Sequence, residues 1–113
     1  MDREGLIGQL LRYEQPLPHV LAGLAAYGWD CDWPLAELSS SHIRHALHRY
    51  LDAELSAVQV EEWANAIECR EDIAYEPCSP VGETLFELAN PELTSPLSLE
   101  RAEDLLQLLS ADS

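Results

Sequence analysis

The chain contains no lysine. Its positive charge rests on six arginines set against 21 aspartates and glutamates, for a formal net charge of -15 over 113 residues. Phosphate binding requires Lys and Arg to displace counterions, so this balance argues against a nucleic-acid partner. It equally repels the anionic leaflet of a membrane. A field of this sign attracts basic surfaces and speeds encounter with them.

Cysteine is scarce: Cys31, Cys69 and Cys78 are odd in number and lack C-x-x-C spacing. That disfavours a disulfide framework and a self-contained zinc knuckle, and predicts three reduced, partly buried thiols. No apolar run approaches the ~20 residues that cross a bilayer. The opening MDREGLIGQ has no basic region followed by an apolar stretch, so cytoplasmic residence is the default expectation. Catalytic signatures are missing too: there is no Gly-rich phosphate loop, G-x-S-x-G, H-E-x-x-H or calcium-binding loop. Among 21 carboxylates, pairs of them carry no specificity. The expectation is a protein that is not an enzyme and takes no cofactor.

What is present is a foldable core. Hydrophobic residues make up 47% of the chain, too many for a disordered acidic tail. The length suits one domain that buries roughly two thirds of its unfolded surface. Prolines divide the chain, and between them the apolar spacing is helical. A first helix from Arg3 to Tyr13 carries Leu6, Ile7, Leu10 and Leu11 on one side. A second, near His19 to Tyr27, carries Val20, Leu21, Leu24 and Ala25. Ser41 is the natural N-cap of a third. Ser56 and Gln59 have capping-box spacing at the start of a fourth, with Leu55 and Val60 at the positions of a hydrophobic staple. Ser79, Pro80 and Asn90-Pro91 bracket a fifth. A sixth follows Ser98, carrying Leu99, Ala102, Leu105, Leu106 and Leu109. The segment around Ile73 reads as a turn or a short extended piece, and no convincing strand pair is visible. The predicted fold is all-α: a compact bundle of about six short helices in a single domain.

The third helix, in SHIRHALHRY, gathers three histidines and two arginines. At about 100° per residue, Ile43, Ala46, Leu47, Tyr50 and Leu51 share one arc. His42, Arg44, His45, His48 and Arg49 fill the opposite one. This outer face reads best as a cationic stripe that offsets the protein's own acidic helices, with Asp52 reachable from His48 and Arg49. A recognition stripe for an anionic partner is a second reading. Metal binding is a third, but steps of three residues fan His42, His45 and His48 apart, so a site needs a pair of them plus a ligand from elsewhere.

The fourth helix carries the acid. Val60, Trp63, Ala64 and Ile67 share a core face, while Glu61, Asn65, Glu68 and Asp72 align as a second stripe, with Glu62 and Glu71 nearby. Carboxylates held in register on a rigid element are what an Arg- or Lys-rich partner needs. A solvated helix face is the competing reading. In YGWDCDWP, Trp29 stands beside Asp30 and Asp32, an aromatic-with-carboxylate arrangement suited to a basic surface. Trp33, before Pro34, reads instead as a core anchor. The candidate partner-binding residues are therefore Glu61, Glu62, Asn65, Glu68, Glu71, Asp72, Trp29, Asp30 and Asp32.

The Glu54–Ser56 junction, Trp63-Ala64-Asn65, the acidic run Glu68–Asp72 and Ala89-Asn90-Pro91 resemble small acidic bacterial proteins of uncharacterised function. More loosely, they resemble the helical immunity proteins that bacteria pair with toxins. The likeness covers residues 47–109. It implies a cognate inhibitor that buries the basic groove of a toxin, often a nuclease, under an acidic helix. The expected partner is thus a basic protein, a cognate toxin in the most concrete form. Two alternatives stay open: a self-associating or adaptor protein that uses Leu108, outside the main stripe of the last helix, and a histidine-dependent metal-binding protein.

Overall fold

Local signals set most of the helix ends. The computed structural model describes residues 3–14, 16–25, 36–68, 70, 73–76, 78–94 and 96–112. Among them the order is α1 (Arg3–Arg12), α2 (Leu17–Leu24), β1 (Ala36–Glu37), α3 (Ser40–Leu51), α4 (Ala57–Glu68), β2 (Ile73–Ala74), α5 (Pro80–Ala89) and α6 (Leu99–Asp112). The all-α reading holds, with a two-strand addition.

The capping box of α4 forms as its spacing demands. Ser56 N–H donates to Gln59 Oε1 at 2.8 Å, and Gln59 N–H donates to Ser56 Oγ at 3.1 Å. Ser79 Oγ accepts from Gly82 N–H at 3.2 Å, and Ser98 Oγ accepts from Arg101 N–H at 3.1 Å, starting α5 and α6 where expected. Two starts differ. α2 begins at Leu17, because Pro18 lies in its first turn, where a missing N–H leaves no bond unmade. α3 is capped by Ser39 rather than Ser41: the Ser39 N–H donates to His42 Nδ1 at 3.1 Å.

Helices α1 and α3 stop without glycine. Tyr13 and Ala53 occupy the left-handed region, at φ 51° and 64°. In α1, Glu14 N–H donates to Gln9 O at 3.0 Å and Tyr13 N–H to Leu10 O at 3.2 Å. In α3, Glu54 N–H donates to Arg49 O at 2.8 Å and Ala53 N–H to Tyr50 O at 3.0 Å. Both are Schellman closures, which satisfy carbonyls that the helix leaves unpaired.

The predicted core stripes converge. Leu6, Ile7, Leu10 and Leu11 of α1, Ile43, Ala46 and Leu47 of α3, and Val60, Trp63, Ala64 and Ile67 of α4 are all buried. So are Leu85 and Leu88 of α5 and Ala102, Leu105 and Leu109 of α6, whereas Leu99 and Ala25, expected on core stripes, are exposed. Trp63 is fully enclosed, and its indole N–H donates to the Leu10 carbonyl at 2.7 Å, tying α4 to α1. Without that acceptor the buried donor would cost ~1–3 kcal/mol. α4 packs most extensively on α5, and α3 on α6.

β1 and β2 form a parallel pair with Ala36 opposite Ile73 and Glu37 opposite Ala74. Leu38 N–H extends it by donating to Ala74 O at 2.9 Å. Strands of two residues are too short to show alternation, which is why this pair is invisible in the sequence. The radius of gyration is 13.4 Å, about the ~13 Å expected of a compact chain this long. Among the described residues, no helix is long and apolar enough to cross a membrane.

Candidate functional site

The helix that carries the acidic stripe ends at Glu68, and Ile73 already belongs to β2. Within the described helix the stripe therefore comprises Glu61, Asn65 and Glu68. Asp72, Glu71, Trp29, Asp30 and Asp32 lie outside the described residues, as does Trp33. What is brought together is Glu61, Asn65 and Glu68, all half-buried along one side of α4.

That side faces α5. Glu61 lines a hollow with Ala57, Val58, Glu87, Leu88, Pro91, Pro96 and Leu97. Glu68 lines another with Tyr75, Gly82, Glu83 and Phe86. Asn90 links the two helices at this seam, its Nδ2 donating to Phe86 O at 2.9 Å and lying 3.5 Å from Glu68 Oε1. Phe86 is 45% exposed and shares this hollow with the acidic residues Glu68 and Glu83. Sequence reasoning missed Phe86 because Leu85 and Leu88 dominate the α5 pattern. Its signal was a phenylalanine one position off the buried stripe.

Glu62 does not join this face. It is exposed and borders a different hollow with Tyr13, Glu14, Arg49, Glu54 and Gln59. There, burial pushes the Tyr13 phenol above its usual value, Arg49 opposes that, and Glu62 adds to it. Glu61 and Glu62 are one step apart on a helix, and that turn of about 100° is enough to set them beside different hollows.

Among the described residues, the contacts made by the basic face of α3 go to two backbone groups, the Ser39 N–H and the Tyr13 carbonyl, and to one carboxylate, Glu54. Arg49 Nη1 donates to the Tyr13 carbonyl at 2.7 Å, and its guanidinium sits 5.1 Å from the centre of the Tyr13 ring. Its carboxylate partner is Glu54, at 3.5 Å, rather than Asp52. His42 closes the start of α3 through Nδ1, so that nitrogen must be unprotonated. Burial lowers the pKa of His42 below its ordinary value, with Arg12 and His45 adding to the effect. Arg44 Nε is buried and has no hydrogen-bond partner among the described residues. His45 and His48 are exposed. Among the described residues, no group of three or more His, Cys, Asp or Glu is placed to hold a metal ion. Cys78 is an exposed free thiol, not partly buried as expected; Cys31 and Cys69 lie outside the described residues.

Among the described residues, the shortest ion pair joins α5 to α6. Arg101 Nε donates to Glu87 Oε2 at 2.7 Å and Nη2 donates to Oε1 at 2.6 Å, a two-pronged contact. The hydrogen bonds that Arg101 donates to Glu87 raise the Arg101 pKa and hold its charge in place. Both Glu87 oxygens are thereby occupied, while Glu61, in the same hollow, has no ion pair among the described residues. Neither a protein-family model, nor a curated protein, nor a solved structure matches this chain.

Proposed function

We propose that this chain is an acidic helical binding module that docks a basic protein on the α4–α5 seam. In its most concrete form it is an immunity-type inhibitor that occludes a basic toxin, as the resemblance of residues 47–109 suggests. The observation that carries the reading is the half-exposed Phe86 in a hollow it shares with Glu68 and Glu83. An aromatic that excludes water between carboxylates is a suitable anchor for Arg- and Lys-rich surface. Glu61 and Asn65 extend the acidic side along the same helix. Occlusion requires no chemistry from this chain, only a rigid negative face.

The test is capture from host extract with the tagged protein, at low and high salt, with bound proteins identified by mass spectrometry. A single basic partner, held at low salt, released at high salt and lost with Phe86→Ser, is the expected result. Salt should act mainly on the association rate. Recovery of the chain alone at both salts would remove the proposal.

A second reading, self-association, draws on apolar exposure: Val58 is 61% exposed, Leu93 75%, Leu99 58% and Leu108 45%. Light scattering decides between them, since apolar self-association gives a mass that rises with concentration and resists salt.

A further inference from the structure

The hollow at the Glu61 end of the seam has an uneven chemistry. Its volume is about 190 Å³, and its walls are Ala57, Val58, Leu88, Pro91, Pro96 and Leu97. Two acidic residues complete the lining, Glu61 and Glu87. Glu87 is charge-paired through both oxygens with the guanidinium of Arg101, whereas Glu61, beside an apolar wall, has no ion pair among the described residues.

We propose that this hollow receives an arginine side chain of the basic partner, its aliphatic stem against Val58, Leu88 and the prolines and its guanidinium on the Glu61 carboxylate. The proposal rests on the docking reading above and assigns the place where one partner residue inserts. Three arguments select the occupant. An anionic group is rejected by Glu61 and by the net charge of -15. A neutral apolar group fits the walls but strips water from the Glu61 carboxylate and returns no hydrogen bond. A cation on an aliphatic stem satisfies both. Of the two such side chains, a guanidinium is more weakly hydrated than an ammonium, and its fork matches both carboxylate oxygens.

The wall is built before any partner arrives, so little ordering cost falls on binding. The Thr94 hydroxyl contacts the Asn90 carbonyl at 2.8 Å and the Glu87 carbonyl at 3.1 Å. Leu93 and Thr94 N–H groups both donate to the Asn90 carbonyl, at 3.0 and 3.1 Å. Tyr50 Oη donates to the Leu97 carbonyl at 3.5 Å, a long contact from α3 to the far side of the hollow. Pro91 and Pro96 add fixed backbone angles.

The experiment uses the intact chain and n-butylguanidinium, an arginine side chain without its backbone, followed by amide chemical shifts. Saturable shifts are expected at Val58, Glu61, Leu88 and Leu97. Glu61→Gln should weaken binding about tenfold with unchanged melting. Glu62→Gln, beside a different hollow, should leave it as in the parent. The absence of saturation, equal binding by Glu61→Gln, or tighter binding of n-butylamine would each overturn the proposal. The probe contains no partner protein, so its failure leaves the salt-sensitive capture result standing. Conversely, fragment binding without any captured partner removes the docking reading and keeps a cation-binding hollow.

Discussion

His42 is a residue whose job the composition disguises. Three histidines in one helix suggest metal or recognition, yet this one accepts the Ser39 N–H and is held below its ordinary pKa, first by burial. The folded state therefore binds fewer protons here than the unfolded chain does. The resulting stabilisation is present above the unfolded value of about 6.5 and is lost as pH falls below it toward the folded value. Glutamine at the same position keeps an acceptor, as Gln59 does in α4, but does not titrate. Melting temperature measured from about pH 7 to 5 should fall less steeply for His42→Gln than for the parent. Equal slopes would mean that other groups govern the acid limb. Ala53 supplies a second test at this scale. A Cβ in the left-handed region costs ~1–2 kcal/mol, so Ala53→Gly should stabilise by roughly 1 kcal/mol in urea unfolding. Tyr13 has the same backbone but a buried ring, so glycine there should lower stability instead.

At the scale of elements, Arg49 joins three of them: it sits in α3, caps the end of α1, and pairs with Glu54 in the turn before α4. Arg49→Gln should cost about 1–2 kcal/mol, mostly from the Tyr13 carbonyl bond. Glu54→Gln should cost under about 1 kcal/mol, because the exposed carboxylate is screened by solvent. Urea titration of both variants checks the ratio, and equal losses would shift the weight to the ion pair. Helices and their caps were legible from Ser56, Gln59, Ser79, Pro80 and Ser98, because a cap depends on neighbours within a turn. The end of α1 was read to within one residue, but the left-handed closures of α1 and α3 were not, since Tyr13 and Ala53 are not the residues that normally mark such a stop. The site was legible in part. Glu61, Asn65 and Glu68 do share a side, but only packing reveals that α5 adds Phe86 to it and that Glu62 looks elsewhere.

For the whole molecule the governing fact is a net charge of -15 without a single lysine. Carboxylates that find no cation repel one another, and added salt shortens the reach of that repulsion to about 3 Å at 1 M. Melting temperature should therefore rise with sodium chloride at neutral pH, the reverse of a fold held by surface ion pairs. A flat or falling curve would assign a larger share to Arg101–Glu87 and its kind.

The short parallel pair between Ala36–Glu37 and Ile73–Ala74 acts at a longer range than its size suggests. It fastens the chain at both ends of the stretch that holds α3 and α4, turning that stretch into a closed loop with a latch. A closed loop gains chain entropy only when its latch opens, so these two helices should open together rather than fray singly. The Leu38 amide, bonded across the latch, is the place to read it: its hydrogen exchange should match the slowest amides of α3 and α4. The smallest element of the fold would then set the size of its opening unit.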